Sequence, residues 1–157
     1  LNRSLKYVHI MSPYLILDGE METALKFAAE RGVDVKLLLP GIPDKFVPYA
    51  LAKTHYASLL ESGVKIYEYT PGFVHAKVFV SDSREAVVGT INLDYRSLYH
   101  HFECATYLYG VDCIKELEED FQNTLGKCRL VTMDMVRREK WTVKLTGRLV
   151  KAAAPLM

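Results

Sequence analysis

The sequence predicts an α/β fold with a mixed central β-sheet that carries helices on both faces. Three observations support this class. Strand-like and helix-like segments alternate in the first half, residues 33–39 form an almost unbroken apolar run, and the second half adds a hairpin pattern. Such an apolar run is typical of a strand buried on both faces of a sheet. With 157 residues, half of them hydrophobic, the chain can bury one sizeable core.

The first half is predicted to alternate as β-α-β-α-β. β-branched and aromatic residues before Pro13 indicate a first strand. Asp18 is placed to cap the first helix, and Gly32 is placed to end it. The predicted elements are strands over 6–12, 33–39 and 64–69 and helices over 19–31 and 46–62.

The second half is predicted to continue the sheet and then to end in helices. Residues 81–84 form the turn of a hairpin. The predicted elements are strands over 74–81, 86–91 and 103–109, a helix over 112–126, and a helical stretch over 133–153 that is interrupted near Gly147. We predict two parts, a catalytic lobe over 1–132 and a basic amphipathic helical tail over 133–157.

The charge is unevenly distributed along the chain, although the net charge is only +1. From residue 137 onward, six basic residues face one acidic residue, whereas residues 1–136 carry a net charge of −4. Binding to a phosphate backbone needs clustered Lys and Arg, so no nucleic-acid partner is expected for the body of the chain.

Two stripes are expected on the helical tail. Apolar residues recur every four positions, and basic residues recur beside them, which places each set on one helix face. The apolar set is Trp141, Leu145 and Leu149, and the basic set is Lys140, Lys144 and Arg148. The tail either packs on its own lobe or lies on an anionic membrane surface, and both possibilities stay open.

The stretch from His75 to Asn92 carries the strongest chemical signal. His75 and Lys77 are two residues apart on a predicted strand, so both side chains are expected on the same face. An imidazole beside an ammonium group forms a site for an anion, and the amide of Asn92 can donate a further hydrogen bond. Gly89 and Thr90 allow the backbone to approach closely. Phosphate-ester chemistry needs such a nucleophile or acid–base group, a cation and neutral donors.

This spacing, H-x-K-x4-D-x6-G-[ST]-x-N, resembles the signature of the phospholipase D superfamily. The fixed positions are occupied by His75, Lys77, Asp82, Gly89, Thr90 and Asn92. Six fixed positions within eighteen residues make the pattern specific. The chain also resembles the C-terminal catalytic half of bacterial cardiolipin synthases along essentially its whole length, at residues 11–14, 38–41, 70–73, 89–97 and 154–157. Its first residue, Leu1, also led us to expect a piece of a longer protein.

The resemblance implies one phospholipase D-like α-β-α lobe and a set of site residues. The implied catalytic residues are His75, Lys77, Asp82, Asn92 and Glu103, and the implied phosphate-binding residues are His75, Lys77, Thr90 and Asn92. Asp82 is expected to be a structural orienter. Glu103 is expected to orient the histidine, with an ion pair to Arg96 as its alternative role. Whether His75 is the nucleophile or the general acid–base stays open.

The implied reaction transfers a phosphatidyl group between two phosphatidylglycerols, through a phosphohistidine, to give cardiolipin and glycerol. The expected partners are phosphatidylglycerol and other anionic phospholipids, the membrane surface, and a second lobe with the same motif. That lobe would lie in the same full-length chain or in a symmetric dimer partner. No cofactor and no metal are implied. The parent protein is expected at the bacterial cell membrane with its catalytic domain facing the cytoplasm, and the fragment itself is expected to be soluble.

Three alternatives stay open. A phospholipase D-type hydrolase would use water in place of the second alcohol. A single-motif nuclease would pair two chains to complete its site. The isolated half-domain would otherwise be inert, because it holds only half of a two-motif site.

Overall fold

The computed structural model describes residues 1–156, and one mixed β-sheet of seven strands runs through them. The strands are β1 (Tyr7–Met11), β2 (Asp34–Pro40), β3 (Lys65–Tyr69), β4 (Val78–Ser81), β5 (Glu85–Gly89), β6 (Ala105–Tyr109) and β7 (Cys128–Leu130). Their order across the sheet is β6-β5-β4-β1-β2-β3-β7. β1, β2 and β3 are parallel, and the other neighbouring pairs are antiparallel.

Two helices, α1 (Gly19–Glu30) and α2 (Phe46–Glu61), connect the parallel strands and cover one face of the sheet. The side chain of Asp18 accepts a hydrogen bond from the backbone N–H of Met21 at 2.6 Å, so α1 begins where its capping residue predicts. Gly32 follows with a φ of 90°, a conformation that favours glycine and ends the helix.

The other face of the sheet is covered by α3 (Cys113–Leu125). Phe121 of α3 is fully buried in a cluster with Met11 and Leu38. Their strand neighbours Ile10 and Leu37 belong instead to the cluster under α1 and α2. Because successive side chains on a strand alternate between faces, β1 and β2 are buried on both sides. The predicted class, an α/β fold with a mixed central sheet and helices on both faces, is confirmed.

The antiparallel strands are shorter than predicted. The strand predicted over 74–81 begins only at Val78, and the strand predicted over 86–91 ends at Gly89. β4 pairs with β1, whose last paired residue is Met11, and Pro13 lies two residues further on. Proline has no N–H to continue a ladder, so residues 74–77 have no strand to pair with on the β1 side. On the β5 side, the carbonyl oxygen of Lys77 still accepts from the N–H of Gly89 at 3.3 Å. His75 and Lys77 therefore precede the strand rather than lie on it.

Three short elements were not predicted. β7 has three residues, a π-helical turn spans Arg96–His100, and a 3₁₀ turn spans Ala154–Leu156. None of the three is long enough to show a hydrophobic period.

The tail forms α4 (Met133–Arg138) and α5 (Trp141–Lys151), with the break at residues 139–140 rather than near Gly147. Gly147 is buried inside α5, where a Cβ would collide with the carbonyl oxygen of Ala50 in α2. Glycine thus allows α5 to pack closely on α2. The predicted tail extends to Met157, which lies outside the described residues, and the division after residue 132 stays a prediction. Across residues 1–156, no helix combines the length and the apolar character needed to cross a bilayer.

Candidate active site

Most of the predicted site residues gather at one end of the sheet, which we call the site end. β4 begins there, β5 ends there and β6 begins there, because the β4–β5 and β5–β6 pairs are antiparallel. The segments that precede β4, follow β5 and precede β6 are thereby brought to the same end of the sheet. The residues that lie in these segments are His75, Lys77, Thr90, Asn92 and Glu103.

His75 and Lys77 are in direct contact. Nζ of Lys77 lies 3.1 Å from Nδ1 and 3.0 Å from Nε2 of His75, and it donates to the backbone carbonyl oxygen of His75 at 2.8 Å. His75 is exposed and Lys77 is partly exposed, so both groups are accessible to a ligand. An anion placed beside them would be attracted by the ammonium and would lie within reach of the imidazole.

The charge of Lys77 is set by opposing effects. Burial lowers the pKa of Lys77, whereas the negative charges of Glu103 and Asp94 raise it. Burial outweighs the two carboxylates, so the pKa of Lys77 is lowered. A partly desolvated ammonium forms strong charge-assisted hydrogen bonds with anionic oxygens. Among the described residues, no group of three or more His, Cys, Asp or Glu side chains is arranged to hold a metal ion.

Thr90 links the end of β5 to the start of β6. Its backbone N–H donates to the carbonyl oxygen of Cys104 at 3.0 Å, and the N–H of Cys104 donates back to Oγ1 of Thr90 at 3.0 Å. The Thr90 hydroxyl also donates to Oε2 of Glu103. A Cβ at Gly89 would collide with the backbone of Cys104 and Ala105, so only glycine permits this approach.

Glu103 does not make the contact with the histidine that the resemblance implies. No hydrogen bond joins Glu103 to His75, and no ion pair joins it to Arg96, anywhere in residues 1–156. The carboxylate is held by Thr90 instead, and the hydroxyls of Thr90 and Ser97 lower the pKa of Glu103. Glu103 therefore contributes a fixed negative charge to the site end.

Asn92 lies in the loop after β5, and this loop is anchored on its far side. The N–H of Leu93 donates to Oγ of Ser12 at 3.1 Å, and its carbonyl oxygen accepts from the N–H of Ile16 at 2.8 Å. Oδ1 of Asn92 is buried and has no hydrogen-bond partner in the described part of the chain. Buried polar atoms without partners are rare, so Asn92 is an exception among the buried polar groups of the described residues.

Asp82 is the one motif residue that the structure does not bring to the site end. It follows β4 at the end opposite to Lys77, and β4 lies between the two residues, a separation of about 16 Å along an extended chain. Its carboxylate accepts hydrogen bonds from three consecutive backbone N–H groups, those of Leu5, Lys6 and Tyr7, at 2.8–2.9 Å. Burial raises the pKa of Asp82, but these three hydrogen bonds outweigh it and lower the pKa.

Exposed apolar side chains border the site end, and they were not among the predicted site residues. The Phe73 ring is tilted against the His75 ring, with centroids 5.6 Å apart, and Phe102 is fully exposed. Ile42 and Phe46 are 54% and 50% exposed in the segment that follows β2 and opens α2. Phe73 and Phe102 lie within two residues of His75 and Glu103 in sequence, and that adjacency is the signal that could have identified them.

Comparison with protein families decides the assignment. Residues 1–125 match the family model described as cardiolipin synthase, PLD-like domain. The chain belongs to this family. The resemblance to the phospholipase D superfamily and to cardiolipin synthases is thereby confirmed.

Curated relatives of this PLD-like domain match the whole chain but are much longer. An uncharacterized protein of Streptococcus mutans is 64% identical over 157 residues, which are 100% of this chain and 34% of that protein. Cardiolipin synthase 2 of Bacillus anthracis is 37% identical over 152 residues, 97% of this chain and 30% of that protein. The chain therefore spans about a third of the length of the curated relatives that it matches.

Solved structures share the fold of the PLD-like domain. Phosphatidylserine synthase from Haemophilus influenzae superposes with a TM-score of 0.79 at 14% identity, covering 99% of this chain and 42% of that chain. Nuc from Salmonella typhimurium, a phospholipase D family member, superposes with a TM-score of 0.70 at 19% identity, covering 83% and 84%. At these identities the likeness shows the fold alone.

Proposed function

We propose that this chain supplies one half of the active site of a phosphatidyltransferase, which converts two phosphatidylglycerols into cardiolipin and glycerol. One observation supports the proposal: His75 and Lys77 are in direct contact at the site end of a cardiolipin synthase PLD-like domain, and the loop with Asn92 follows β5 at that same end. The Bacillus anthracis relative, named as a cardiolipin synthase, supports the choice of this reaction.

The proposed reaction balances without water or a cofactor. A histidine nitrogen attacks the phosphorus of one phosphatidylglycerol, so a P–N bond forms while the P–O bond to glycerol breaks. A second histidine donates a proton to the departing glycerol oxygen. That histidine then takes a proton from the hydroxyl of a second phosphatidylglycerol, whose oxygen attacks phosphorus and breaks the P–N bond. His75 fills one of these two roles, as nucleophile or as acid–base.

The neighbouring residues have distinct proposed roles. Lys77 binds the non-bridging phosphate oxygens through its ammonium group, where charge develops in the transition state. The amide of Asn92 donates to the same phosphoryl group. Because the Thr90 hydroxyl is engaged by Glu103, we assign Thr90 to positioning Glu103 rather than to binding phosphate. Asp82 anchors β4.

A second lobe is needed to supply the other histidine. We propose that it comes from the same full-length chain or from a symmetric dimer partner. The exposed Phe73 and Phe102 beside the site give such a lobe an apolar surface to contact. The isolated chain should then be inactive as a monomer. If light scattering shows a dimer with facing motifs, weak activity is expected.

The testing experiment uses the full-length parent with labelled phosphatidylglycerol. His75→Ala should reduce cardiolipin and glycerol formation by about 10³-fold or more, a loss typical of removing an acid–base or nucleophilic group. His101→Ala is the matched control, because His101 is also exposed at the site end but lies outside the motif. Undiminished transfer in His75→Ala would overturn the site assignment.

The same experiment separates the alternatives. Release of phosphatidic acid in place of cardiolipin would assign a hydrolase, in which water replaces the second alcohol. A single-motif nuclease is disfavoured by the net charge of −4 over residues 1–136, since clustered positive charge is needed to hold a phosphate backbone. We place the parent protein at the bacterial membrane with this domain on the cytoplasmic side, where its lipid substrates are reached.

A further inference from the structure

α5 packs on α2 with one face and leaves another face uncovered. Val143 and Gly147 are buried on the packed face. Trp141, Leu145 and Leu149 are 72%, 47% and 70% exposed. They recur every four residues and form one apolar stripe along the helix, which we call the α5 stripe. The tail thus docks on its lobe without covering the α5 stripe, and an exposed apolar patch of this kind indicates an interaction surface.

Basic side chains border the α5 stripe on one side. With 3.6 residues per turn, three basic residues fall on the arc between the stripe and the packed face, namely Lys144, Arg148 and Lys151. The opposite border carries Thr142 and Thr146, and α5 contains no acidic residue. An apolar stripe beside a basic arc on one helix is the pattern of helices that lie in a membrane interface.

We propose that this face of α5 binds an anionic phospholipid surface. The α5 stripe would enter the boundary between headgroups and acyl chains, and Arg148 and Lys151 would face the headgroup phosphates, whereas Nζ of Lys144 donates to the carbonyl oxygen of Arg137 at 2.6 Å. The charge favours an anionic partner, and the combination of Trp and Leu beside basic residues is typical of a helix at a lipid surface. Residues 137–157 carry six basic groups and one acidic group, whereas residues 1–136 carry a net charge of −4, so the tail supplies the attraction. The choice of an anionic lipid rests on the proposed function.

The position of α5 also connects the lipid surface to the site. Val150 of α5 shares a buried cluster with Val47, which lies in the first turn of α2 at the site end. Beyond α5, the carbonyl oxygen of Pro155 accepts a hydrogen bond from Nε2 of His100 at 2.9 Å. Leu149 and Lys151 therefore lie at the end of α5 nearer the site, and lipid bound there would hold headgroups beside it.

The test uses the chain itself, because Trp141 is its only tryptophan. Tryptophan fluorescence is recorded during titration with phosphatidylcholine vesicles, with and without phosphatidylglycerol. Vesicles that contain phosphatidylglycerol should shift the emission to the blue and protect it from aqueous quenchers, and high salt should reverse both effects. Unchanged emission with phosphatidylglycerol at low salt would overturn the proposal.

Variants locate the binding face. Leu145→Gln with Leu149→Gln should abolish the blue shift, and Arg148→Gln should weaken partitioning about fivefold, since each basic residue near an anionic surface contributes about a factor of five. The matched controls are Leu130→Gln on β7 and Lys115→Gln on α3, both exposed and outside α5. Equal weakening by the controls, or unchanged binding by the α5 variants, would refute the assignment.

Two further outcomes keep this inference separate from the proposed function. If the full-length parent shows transfer that depends on His75 while Trp141 does not respond to vesicles, the α5 inference fails and the function stands. If the α5 variants change self-association in light scattering but not vesicle binding, the face binds protein and the proposal is wrong.

Discussion

The two ends of β4 carry residues of one motif, but they differ in how fully their polar groups are satisfied. At the site end, His75 is exposed, Lys77 donates only to His75 within the described residues, and Oδ1 of Asn92 has no partner there. At the opposite end, Asp82 accepts three backbone hydrogen bonds. One end is open for a ligand, and the other is closed by the protein itself.

This difference explains the spacing of the motif. The four residues between Lys77 and Asp82 are the strand β4 itself, Val78–Ser81. A strand of that length separates its ends by more than a hydrogen bond can reach, so the carboxylate acts on the fold and not on the substrate. Asp82 fixes the strand next to β1, and the strand then carries the segment with Lys77 to the site end.

After His75→Ala, Lys77→Met should show the largest effect, and it should be on activity alone. We expect transfer by the full-length parent to fall by about 10²–10³-fold, as when one preorganised donor to a transition-state oxygen is removed. Stability should change by less than about 0.5 kcal/mol, because Lys77 is partly exposed and leaves no buried partner. The measurements are kcat/KM and urea unfolding. Lys115→Met on α3 serves as the control, and an equal loss of activity there would remove the special role of Lys77.

Asp82→Ala should lower stability and leave activity nearly unchanged, the reverse of Lys77→Met. Removing the acceptor of three backbone N–H groups should lower the free energy of unfolding by about 1–2 kcal/mol, a moderate value because these donors lie near solvent. Asp82→Asn should lose less, because it keeps an acceptor oxygen and tolerates the φ of 54° at this position. Activity of the folded variants should stay close to wild type. A large loss of kcat without a loss of stability would place Asp82 in the catalytic machinery.

The contribution of Asp82 should also depend on pH in a defined direction. Burial alone would raise its pKa, but the backbone hydrogen bonds hold the pKa below the ordinary value of 3.8. A carboxylate with a lowered pKa stabilises the fold fully above the unfolded value, and this stabilisation is lost as pH falls through the folded value. The stability difference between wild type and Asp82→Ala should therefore be constant above about pH 5 and shrink below 3.8. If the stability difference between wild type and Asp82→Ala stays the same in acid, it does not arise from the ionised carboxylate of Asp82.

Thr90 should show the smallest effect. Thr90→Ser keeps the hydroxyl that donates to Glu103 and should stay near wild type, whereas Thr90→Val removes it and should reduce transfer about tenfold, the value of roughly one hydrogen bond. The comparison is made on kcat/KM at equal folded fraction. Equal activity of the Ser and Val variants would show that the position of Glu103 is unimportant to the reaction.

The sequence predicted those features that local signals determine. α1 was located correctly because Asp18 caps it and Gly32 ends it. The buried strands were predicted because a strand covered on both faces is mainly apolar, as β1 and β2 are apart from His9, Asp34 and Lys36. The motif predicted that His75, Lys77 and Asn92 lie near one another, because the residues between Lys77 and Asn92 form one hairpin.

The remaining features depend on partners that are distant in sequence. The start of β4 is decided by the end of β1, some seventy residues earlier, through the register of their pairing. The hydrogen bond between Thr90 and Glu103 depends on the register of β5 against β6. Gly147 was expected to interrupt a helix, yet it allows α5 to pack on Ala50, and only the tertiary contact shows this.

Phosphate binding at the site end tests the central claim most directly. The chain has five histidines, so NMR spectra of their imidazoles during titration with inorganic phosphate contain their own controls. At constant ionic strength, the His75 resonances should move with a saturable curve, the buried His9 and His55 should not, and Lys77→Met should abolish the response. If the His75 resonances do not shift, or shift no more than those of the exposed His101, then His75, Lys77 and Asn92 do not form a phosphoryl site.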